Sequence, residues 1–333
     1  MVMTETDEKK LERREFLARI GKAGISIAAA GVVSSLLYDG KGPTAAGRGE
    51  KPVTLPDFSV KSQAGQVITV VKGADRTQTV NKAIELLCGI GRFVKPGEIV
   101  AIKPNAAFAA PAMLGATTNP DLVAAVIKLC YKAGAKDVIV IDNPINDPAS
   151  CFEISGISRA AAGAGGRVVL PKESLFQNTS IKGGKLIKDW PVLVSPLEKV
   201  NKLIGIAPVK NHSRSGASMT MKNWYGLLGG RRNVFHQDIN NIITELAMMV
   251  KPTLVILDGT ETMMTNGPTG GAREDLKQTN TMIVSCDQVA ADSYGCSLLN
   301  LKPADLPYLA IAQNAGIGTA DYESLKPILA ALS

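Results

Sequence analysis

The sequence predicts an α/β fold in which a central, mostly parallel sheet is flanked by helices, and we expect two lobes. Three observations lead to this prediction. Apolar runs typical of strands buried on both faces recur along the chain. Helical patterns lie between several of these runs, as crossovers between parallel strands require. With 45% hydrophobic and 20% charged residues over 333 residues, the composition is that of a globular protein long enough for one domain or two lobes.

The first 46 residues are predicted to be a twin-arginine signal peptide. Arg13 and Arg14 precede a weakly apolar run at 25–37 and a patch of small residues at 44–46. A charged region, a short apolar region and a cleavage site are the parts of an export signal. We therefore expect the twin-arginine translocation machinery as a partner, a periplasmic location and no stable membrane span, although an uncleaved signal would anchor the protein in the membrane. The alternative is an amphipathic helix with a chance arginine pair.

Residues 47–65 are predicted to be a linker, because this stretch is rich in Gly, Pro, Lys and Ser. The α/β domain then spans residues 66–333. Seven strands are predicted in it, over residues 67–71, 99–103, 138–142, 168–170, 203–209, 254–258 and 282–286.

The clearest helix begins at Asn119, which is a good N-cap, with Pro120 in the first turn. Gly134 supplies the left-handed residue that ends it. This helix lies between two predicted strands, so it completes a βαβ unit with a right-handed crossover. Further helices are predicted over residues 79–91, 238–250 and 288–299.

Polar or ionisable residues follow five of the predicted strands: Lys103 with Asn105, Asp142, Lys210 with His212, Asp258, and Asp287. Ligands of open parallel sheets bind beyond the carboxyl ends of the strands. We therefore expect one shared site at that edge. The alternative is that polar residues merely end the strands.

The block from Lys210 to His236 contains both histidines of the chain, His212 and His236, among several cations that include Lys222. Histidine is suited to proton transfer near neutral pH and is a common metal ligand. Neighbouring cations would hold it neutral and would bind a carboxylate or phosphate. We predict these two histidines and two lysines as catalytic residues, against the alternative of a basic surface loop.

Two further blocks carry carboxylates. Asp258 precedes a Gly-rich loop in which Gly267 and Gly270 could present backbone N–H groups to an anion, unless the loop is a simple turn. Asp287 is predicted to be a helix N-cap, and Asp292 lies a little over one turn later. Asp258 and Asp287 are also predicted, with the two histidines, as ligands of a divalent metal. The predicted substrate-binding residues are Lys103, Asn105, Asn223, Arg231, Gly267 and Gly270.

Several classes of function are disfavoured. The five cysteines have no Cys-x-x-Cys spacing, so no ferredoxin-type iron–sulfur motif is present. The net charge is +7; seven basic and six acidic residues lie in 1–46, which leaves 30 against 24, or +6, after cleavage. This charge is dispersed, so we expect a small anionic ligand and no nucleic acid.

The order of motifs resembles a bacterial and archaeal family known as domain of unknown function 362. The matching elements are Lys103-Pro104-Asn105, residues 117–120, residues 134–136 with Asp142, residues 208–212, Lys222-Asn223 with Gly226, His236, Asp258-Gly259, Gly267-Pro268 with Gly270, and Asp287 with Ala290 and Asp292. The resemblance implies no settled activity. Some members of the family carry ferredoxin-type motifs, which this chain lacks. The pattern around His212 and Lys222 also distantly resembles nickel-dependent lactate racemases.

Together these observations predict an exported enzyme that acts on a small anionic substrate. Its chemistry would be proton transfer beside a carboxylate, or a redox step on a bound cofactor, with a metal as one option. The alternative is a periplasmic ligand-binding or cofactor-carrier protein without turnover.

Overall fold

The computed structural model describes residues 5–36, 53–60 and 67–332. The chain divides into two compact units, Met1–Gly40 and Lys41–Ser333. The strands of the second unit are β1 (Ile68–Lys72), β2 (Ile99–Lys103), β3 (Asp137–Ile141), β4 (Arg167–Val169), β5 (Phe176–Thr179), β6 (Trp190–Leu193), β7 (Lys202–His212), β8 (Gly216–Ser218), β9 (Leu254–Met263), β10 (Leu276–Ser285) and β11 (Ile328–Ala331). The α-helices are α1 (Glu5–Leu36), α2 (Arg76–Leu86), α3 (Pro120–Lys132), α4 (Pro148–Ile154), α5 (Ile157–Gly163), α6 (Thr220–Asn223), α7 (Ile239–Met249), α8 (Gln288–Leu298) and α9 (Pro307–Asn314).

The central sheet has the order β11-β1-β10-β9-β7-β2-β3-β4, and β8 pairs with β7. The pairs from β9 to β4 and the β11–β1 pair are parallel, whereas β10 runs antiparallel to both its neighbours. The predicted α/β class with a mostly parallel sheet is confirmed. Residues Lys41–Ser333 cluster as one unit rather than as the two lobes that we expected.

The βαβ unit forms as its sequence predicts. The Asn119 side chain accepts a hydrogen bond from the Asp121 N–H at the start of α3, and Gly134 ends the helix with a φ of 87°. The strands on either side, β2 and β3, pair in parallel. Along β2, Val100 and Ile102 pack into one apolar cluster while Ala101 packs into a second, so both faces of the strand are buried.

Each of the seven predicted strands is present, but β7, β9 and β10 are longer than predicted. The strand β9 continues past Asp258 to Met263, because the antiparallel strand β10 pairs with it along that extension. The prediction missed β5, β6, β8 and β11, which have only three or four residues each. Such short runs carry too little periodicity to be distinguished from loops.

Part of the predicted linker packs against the domain. Phe58 is 1% exposed and belongs to the core. Its N–H donates to the Lys251 carbonyl at 3.1 Å, and its carbonyl accepts from Thr253 Oγ1 at 2.7 Å. Within residues 53–60, this polar stretch therefore contains an apolar residue that anchors it to the domain. Its remaining residues, 47–52 and 61–65, lie outside the described part of the chain.

The first unit contains α1, in which Phe16–Leu36 is long and apolar enough to cross a membrane by length and composition. A signal sequence has the same two properties. This stretch is longer than the run at 25–37 that the sequence analysis considered. The predicted cleavage patch at 44–46 lies outside the described residues.

Candidate functional site

The carboxyl ends of β2, β3 and β7 open into a cavity of about 480 Å³. Parallel neighbours share a direction, so the residues that end them meet at one edge. On β7, Lys210 and His212 are two residues apart and therefore face the same side of the sheet. The cavity is lined by Lys103, Asn105, Ala107, Phe108, Asp142, Asn143, Pro144, Ile145, Lys210, His212, Ser218, Lys222, Asn223, Tyr225, Gly226, Gly230, Arg232, Asn233, His236 and Pro268.

Lys103 and Asp142 form a buried ion pair in the wall of the cavity, with 2.7 Å between Nζ and Oδ1. Lys103 Nζ also donates to the Pro104 carbonyl at 2.8 Å and to Asn223 Oδ1 at 3.1 Å. All three ammonium protons therefore have acceptors. The predicted substrate-binding residues Lys103 and Asn223 thus bind each other. Asn105 lines the cavity, and its side-chain nitrogen Nδ2 forms no hydrogen bond to the described residues.

Gly226 is required for this ion pair to fit. A β-carbon at that position would lie 1.9 Å from Asp142 Oδ1 and 2.7 Å from Lys103 Nζ. The absence of a side chain at this position therefore lets the backbone after α6 close over the ion pair.

Lys210 is 1% exposed and has no carboxylate partner among the described residues. Its Nζ donates to the Ala116 carbonyl at 2.6 Å and lies 5.4 Å from the centroid of the Phe108 ring. Burial, with the charges of Lys222 and Lys103, lowers the pKa of Lys210 to about 7. Near neutral pH a large share of this amine is therefore uncharged.

Lys222 lies on α6 and donates no hydrogen bond to any residue that the structure describes. Its Nζ lies 5.6 Å from the centroid of the Tyr225 ring. Burial lowers the pKa of Lys222 to about 8, and the charge of Arg232 contributes. An ammonium group held this way has its donors free for an anion in the cavity.

His212 is held as a neutral ring with a defined tautomer. Its Nδ1 accepts hydrogen bonds from the backbone N–H groups of Arg214 at 3.1 Å and Ser215 at 3.3 Å. Burial, followed by the charge of Lys222, lowers its pKa to about 3. The proton of the neutral ring is therefore on Nε2, which makes His212 a hydrogen-bond donor rather than a base.

His236 has the opposite tautomer. The Tyr225 hydroxyl donates its single proton to the Arg232 carbonyl, so it can only accept from His236 Nδ1, 3.1 Å away. The proton of the neutral His236 ring is then on Nδ1, and Nε2 keeps a lone pair. Burial, with the charge of Lys222 next, lowers the pKa of His236. The two imidazoles are stacked with 6.1 Å between ring centroids, and they form a donor and an acceptor in one cavity.

Arg232 and Tyr225 line the site although the predicted site residues did not include them, and Asp142, which was expected at this edge, had no predicted role. The Arg232 guanidinium donates to the carbonyls of Tyr225, Leu228 and Pro144, which joins the segment after α6 to the loop after β3. The prediction chose the neighbouring Arg231, which is exposed and does not line the cavity. The Arg-Arg dipeptide marked the segment, but the sequence did not distinguish its two residues.

The two predicted metal-ligand carboxylates have other partners. Asp258 accepts from Arg76 Nε at 2.8 Å, and Asp287 caps α8 through the N–H groups of Val289 and Ala290. Neither lines the cavity, so the expectation that they share a metal with the histidines is corrected. Across the described residues, no group of three or more His, Cys, Asp or Glu could hold a metal ion. With His212 Nδ1 occupied and two lysines facing the same space, the residues present do not fit a divalent cation.

The glycines of the loop that was predicted to bind an anion are explained by the path of the backbone. A β-carbon on Gly267 would lie 1.9 Å from the Asn211 carbonyl oxygen, so only glycine allows this loop to cross β7. Gly270 adopts a φ of 57° and forms a turn. Neither glycine lines the cavity, although Pro268 does. Asp292 is also removed from the cavity, and its carboxylate accepts from the N–H groups of Thr220 and Met221 at the start of α6.

The fold and the site define an α/β protein with a cationic cavity at the carboxyl edge of its sheet. The family described as domain of unknown function (DUF362) matches residues 100–297, and the chain belongs to that family. The resemblance inferred from the motifs is confirmed. The thylakoid-associated protein sll1697 of Synechocystis is 27% identical over 258 residues, which are 74% of this chain and 76% of that protein.

Two solved structures are similar at low identity. One is the lactate racemase apoprotein from Thermoanaerobacterium thermosaccharolyticum, with 11% identity, a TM-score of 0.40 and coverage of 76% of this chain and 60% of that one. The other is a protein from Thermotoga maritima, with 14% identity, a TM-score of 0.35 and coverage of 68% and 58%. In both cases the matched region spans less than two thirds of the solved chain.

Proposed function

We propose that this protein is an enzyme that binds a small anionic substrate in the cavity and transfers a proton there. One observation carries the proposal: the buried Lys210 and the half-buried Lys222, without carboxylate partners among the described residues, face the same cavity as two neutral imidazoles of opposite tautomer. Lys222, beside Lys210, binds the negative charge of the substrate. His236 accepts a proton at Nε2, and His212 donates a hydrogen bond from Nε2 to developing negative charge.

The charges of the side chains that line the cavity support an anion as the ligand. Asp142 is the one carboxylate among the described residues that line the cavity, and Lys103 already neutralises it. Lys222 and Arg232 therefore leave an excess of positive charge facing a partly enclosed space. A carboxylate or phosphate would supply the missing counter-charge, and in a desolvated site its bonds to ammonium groups are short and strong.

The test is proton exchange from solvent. The full chain is incubated in D2O with small 2-hydroxy acids, including glycolate, and deuterium at the carbon beside the carboxylate is followed by NMR. We expect His236→Gln to abolish exchange while glycolate still binds, and Lys222→Met to abolish binding. Wild-type exchange in the His212→Ala, His236→Ala double variant would refute the acid–base assignment.

The alternative, a ligand-binding or cofactor-carrier protein, makes a different prediction in the same experiment. The ligand would be recovered unchanged, and the histidine variants would lose no function beyond binding. The paired tautomers favour the enzyme, because a capture site needs cations but does not need a proton acceptor beside a proton donor.

We also propose that the protein is exported by the twin-arginine route, as Arg13 and Arg14 followed by the apolar stretch Phe16–Leu36 suggest. The relative from Synechocystis bears the name of a membrane system, which is compatible with export or anchoring. Fractionation of cells that produce the full chain tests this. An Arg13→Lys, Arg14→Lys variant should remain in the cytoplasm, and an equal distribution of variant and wild type would contradict the route.

A further inference from the structure

We propose that Lys210 is a nucleophile that forms an imine with the carbonyl carbon of a small 2-oxo or aldehyde acid. This inference rests on the proposed function, because it names the substrate class of the same cavity. It assigns different tasks to the two lysines: Lys210 bonds to the carbonyl carbon, and Lys222 binds the carboxylate.

The surroundings of Lys210 suit a neutral amine better than an ammonium ion. An ammonium group has three protons to donate, and the described residues offer one hydrogen-bond acceptor, the Ala116 carbonyl at 2.6 Å. A neutral amine uses that acceptor and keeps its lone pair for attack. The lowered pKa of about 7 agrees with this geometry. A lysine desolvated next to another cation is a recognised form of activated nucleophile.

The placement of Lys210 also fits the task. The residue lies on β7, within the central sheet, so its backbone is fixed by strands on both sides. Phe108 and the hydrogen bond to Ala116 restrict the side chain. A nucleophile held in this way needs little ordering when the substrate arrives.

The second lysine identifies the substrate as an acid. Lys222 lines the same cavity, and its charge acts on Lys210 strongly enough to lower the pKa of that amine. A carboxylate bound at Lys222 would place a carbonyl one bond away near Lys210. Phe108, Pro144 and Ile145 supply an apolar wall for the remainder of the molecule.

The chemistry balances without an oxidant or a reductant. The Lys210 nitrogen lone pair attacks the carbonyl carbon, the C–N bond forms, and the carbonyl π electrons move to oxygen. The nitrogen loses one proton to His236 Nε2, which passes it to the alkoxide oxygen and gives a carbinolamine. The nitrogen lone pair then forms the C=N bond as the hydroxyl leaves, and the second nitrogen proton moves through His236 to the departing oxygen, so that water is released and a neutral imine remains. The net reaction joins an amine and a carbonyl and releases one water molecule.

Reductive trapping on the full chain tests the proposal. The protein is incubated at about pH 7 with glyoxylate and cyanoborohydride, and the labelled lysines are mapped by mass spectrometry. At that pH an amine with a pKa of about 7 has roughly a thousandfold larger neutral fraction than an ordinary lysine. We expect Lys210 to be labelled at least about tenfold faster than Lys277, an exposed lysine on β10.

Two matched comparisons define the roles. Acetaldehyde has the reactive carbonyl without the charge and should label Lys210 at least about tenfold more slowly than glyoxylate. The Lys222→Met substitution should remove that difference by slowing glyoxylate far more than acetaldehyde. Labelling of Lys210 no faster than of Lys277, or labelling of Lys222 instead, would overturn the proposal.

Glycolate, which has a hydroxyl group in place of the aldehyde of glyoxylate, separates this proposal from the one on which it rests. If calorimetry shows that glycolate binds while Lys210 is not trapped, the imine is refuted and the anion site stands. If glycolate does not bind and Lys210 is not trapped, both proposals are refuted.

Discussion

Replacing Lys210 with methionine is expected to stabilise the fold while it removes the proposed nucleophile. Burial, together with Lys222 and Lys103, lowers the pKa of Lys210 from 10.5 to about 7. At about 1.4 kcal/mol for each tenfold change in proton affinity, keeping this charge buried costs the folded state roughly 4–5 kcal/mol at and below pH 7. Methionine matches the length and removes that cost, but it leaves the Ala116 carbonyl unpaired at about 1–3 kcal/mol. The net expectation is a gain of about 2 kcal/mol.

The sign of the pH dependence follows from the direction of the pKa change. Because the folded-state pKa of Lys210 lies below the unfolded value, the unfolded chain binds more protons between about pH 7 and 10.5. Wild-type stability therefore rises with pH across that window, and the advantage of Lys210→Met shrinks. Urea denaturation of the ligand-free protein at pH 7 and at about pH 9.5 measures both effects.

The control is Lys277→Met, which removes an exposed lysine from β10 and should change stability little at either pH. A Lys210→Met variant that is less stable than wild type at pH 7 would refute the reasoning. So would an advantage that persists undiminished at high pH, because the lysine would then not be the desolvated group that its surroundings indicate.

Three further predictions follow from the same contacts. Gly226→Ala should destabilise the protein by about 3–5 kcal/mol because it breaks the buried ion pair. The control is Gly91→Ala, where a β-carbon meets nothing within 4 Å, and equal stability of the two variants would contradict the prediction. Asp292→Ala leaves two backbone N–H groups at the start of α6 unpaired, so we expect the free energy of unfolding to fall by at least about 2 kcal/mol and glycolate to bind Lys222 more weakly. An unchanged Kd for glycolate would show that the position of α6 does not depend on this carboxylate. Glycolate affinity should fall as the pH rises through about 8, where Lys222 loses its charge, and a flat calorimetric profile would exclude Lys222 as the anion site.

The edge at which the site lies could be predicted because it depends only on strand direction. Lys103 and Lys210 end or nearly end parallel strands, and parallel strands place such residues at one edge of the sheet whatever the loops do. The same reasoning was wrong for Asp258. It lies within β9 rather than at its end, because the antiparallel neighbour β10 extends the pairing to Met263. A single sequence gives the apolar run of a strand but not the direction of its partner.

The partners of the cavity side chains could not be predicted, and they decide the chemistry. Lys103 and Lys210 look alike in the sequence, since each follows a buried run at the same edge. In the structure, Asp142 neutralises Lys103, while no described carboxylate is a partner of Lys210. Likewise, the tautomers of His212 and His236 depend on two backbone N–H groups and one tyrosine hydroxyl. The contacts of His212 depend on the turn between β7 and β8, and that of His236 depends on the segment after α6; periodicity encodes neither.

The unpaired lysines link the stability of this fold to its proposed chemistry. Holding Lys210 and Lys222 in this cavity without counter-charges raises the free energy of the ligand-free protein, and an anion bound at Lys222 would favour the charged form of that amine. Part of the affinity for that anion would therefore come from relief of an unfavourable state already present in the fold. The same desolvation that disfavours the ammonium ion makes Lys210 nucleophilic near neutral pH. A variant that stabilises the cavity by removing its charge should, on this argument, lose both the anion and the reaction.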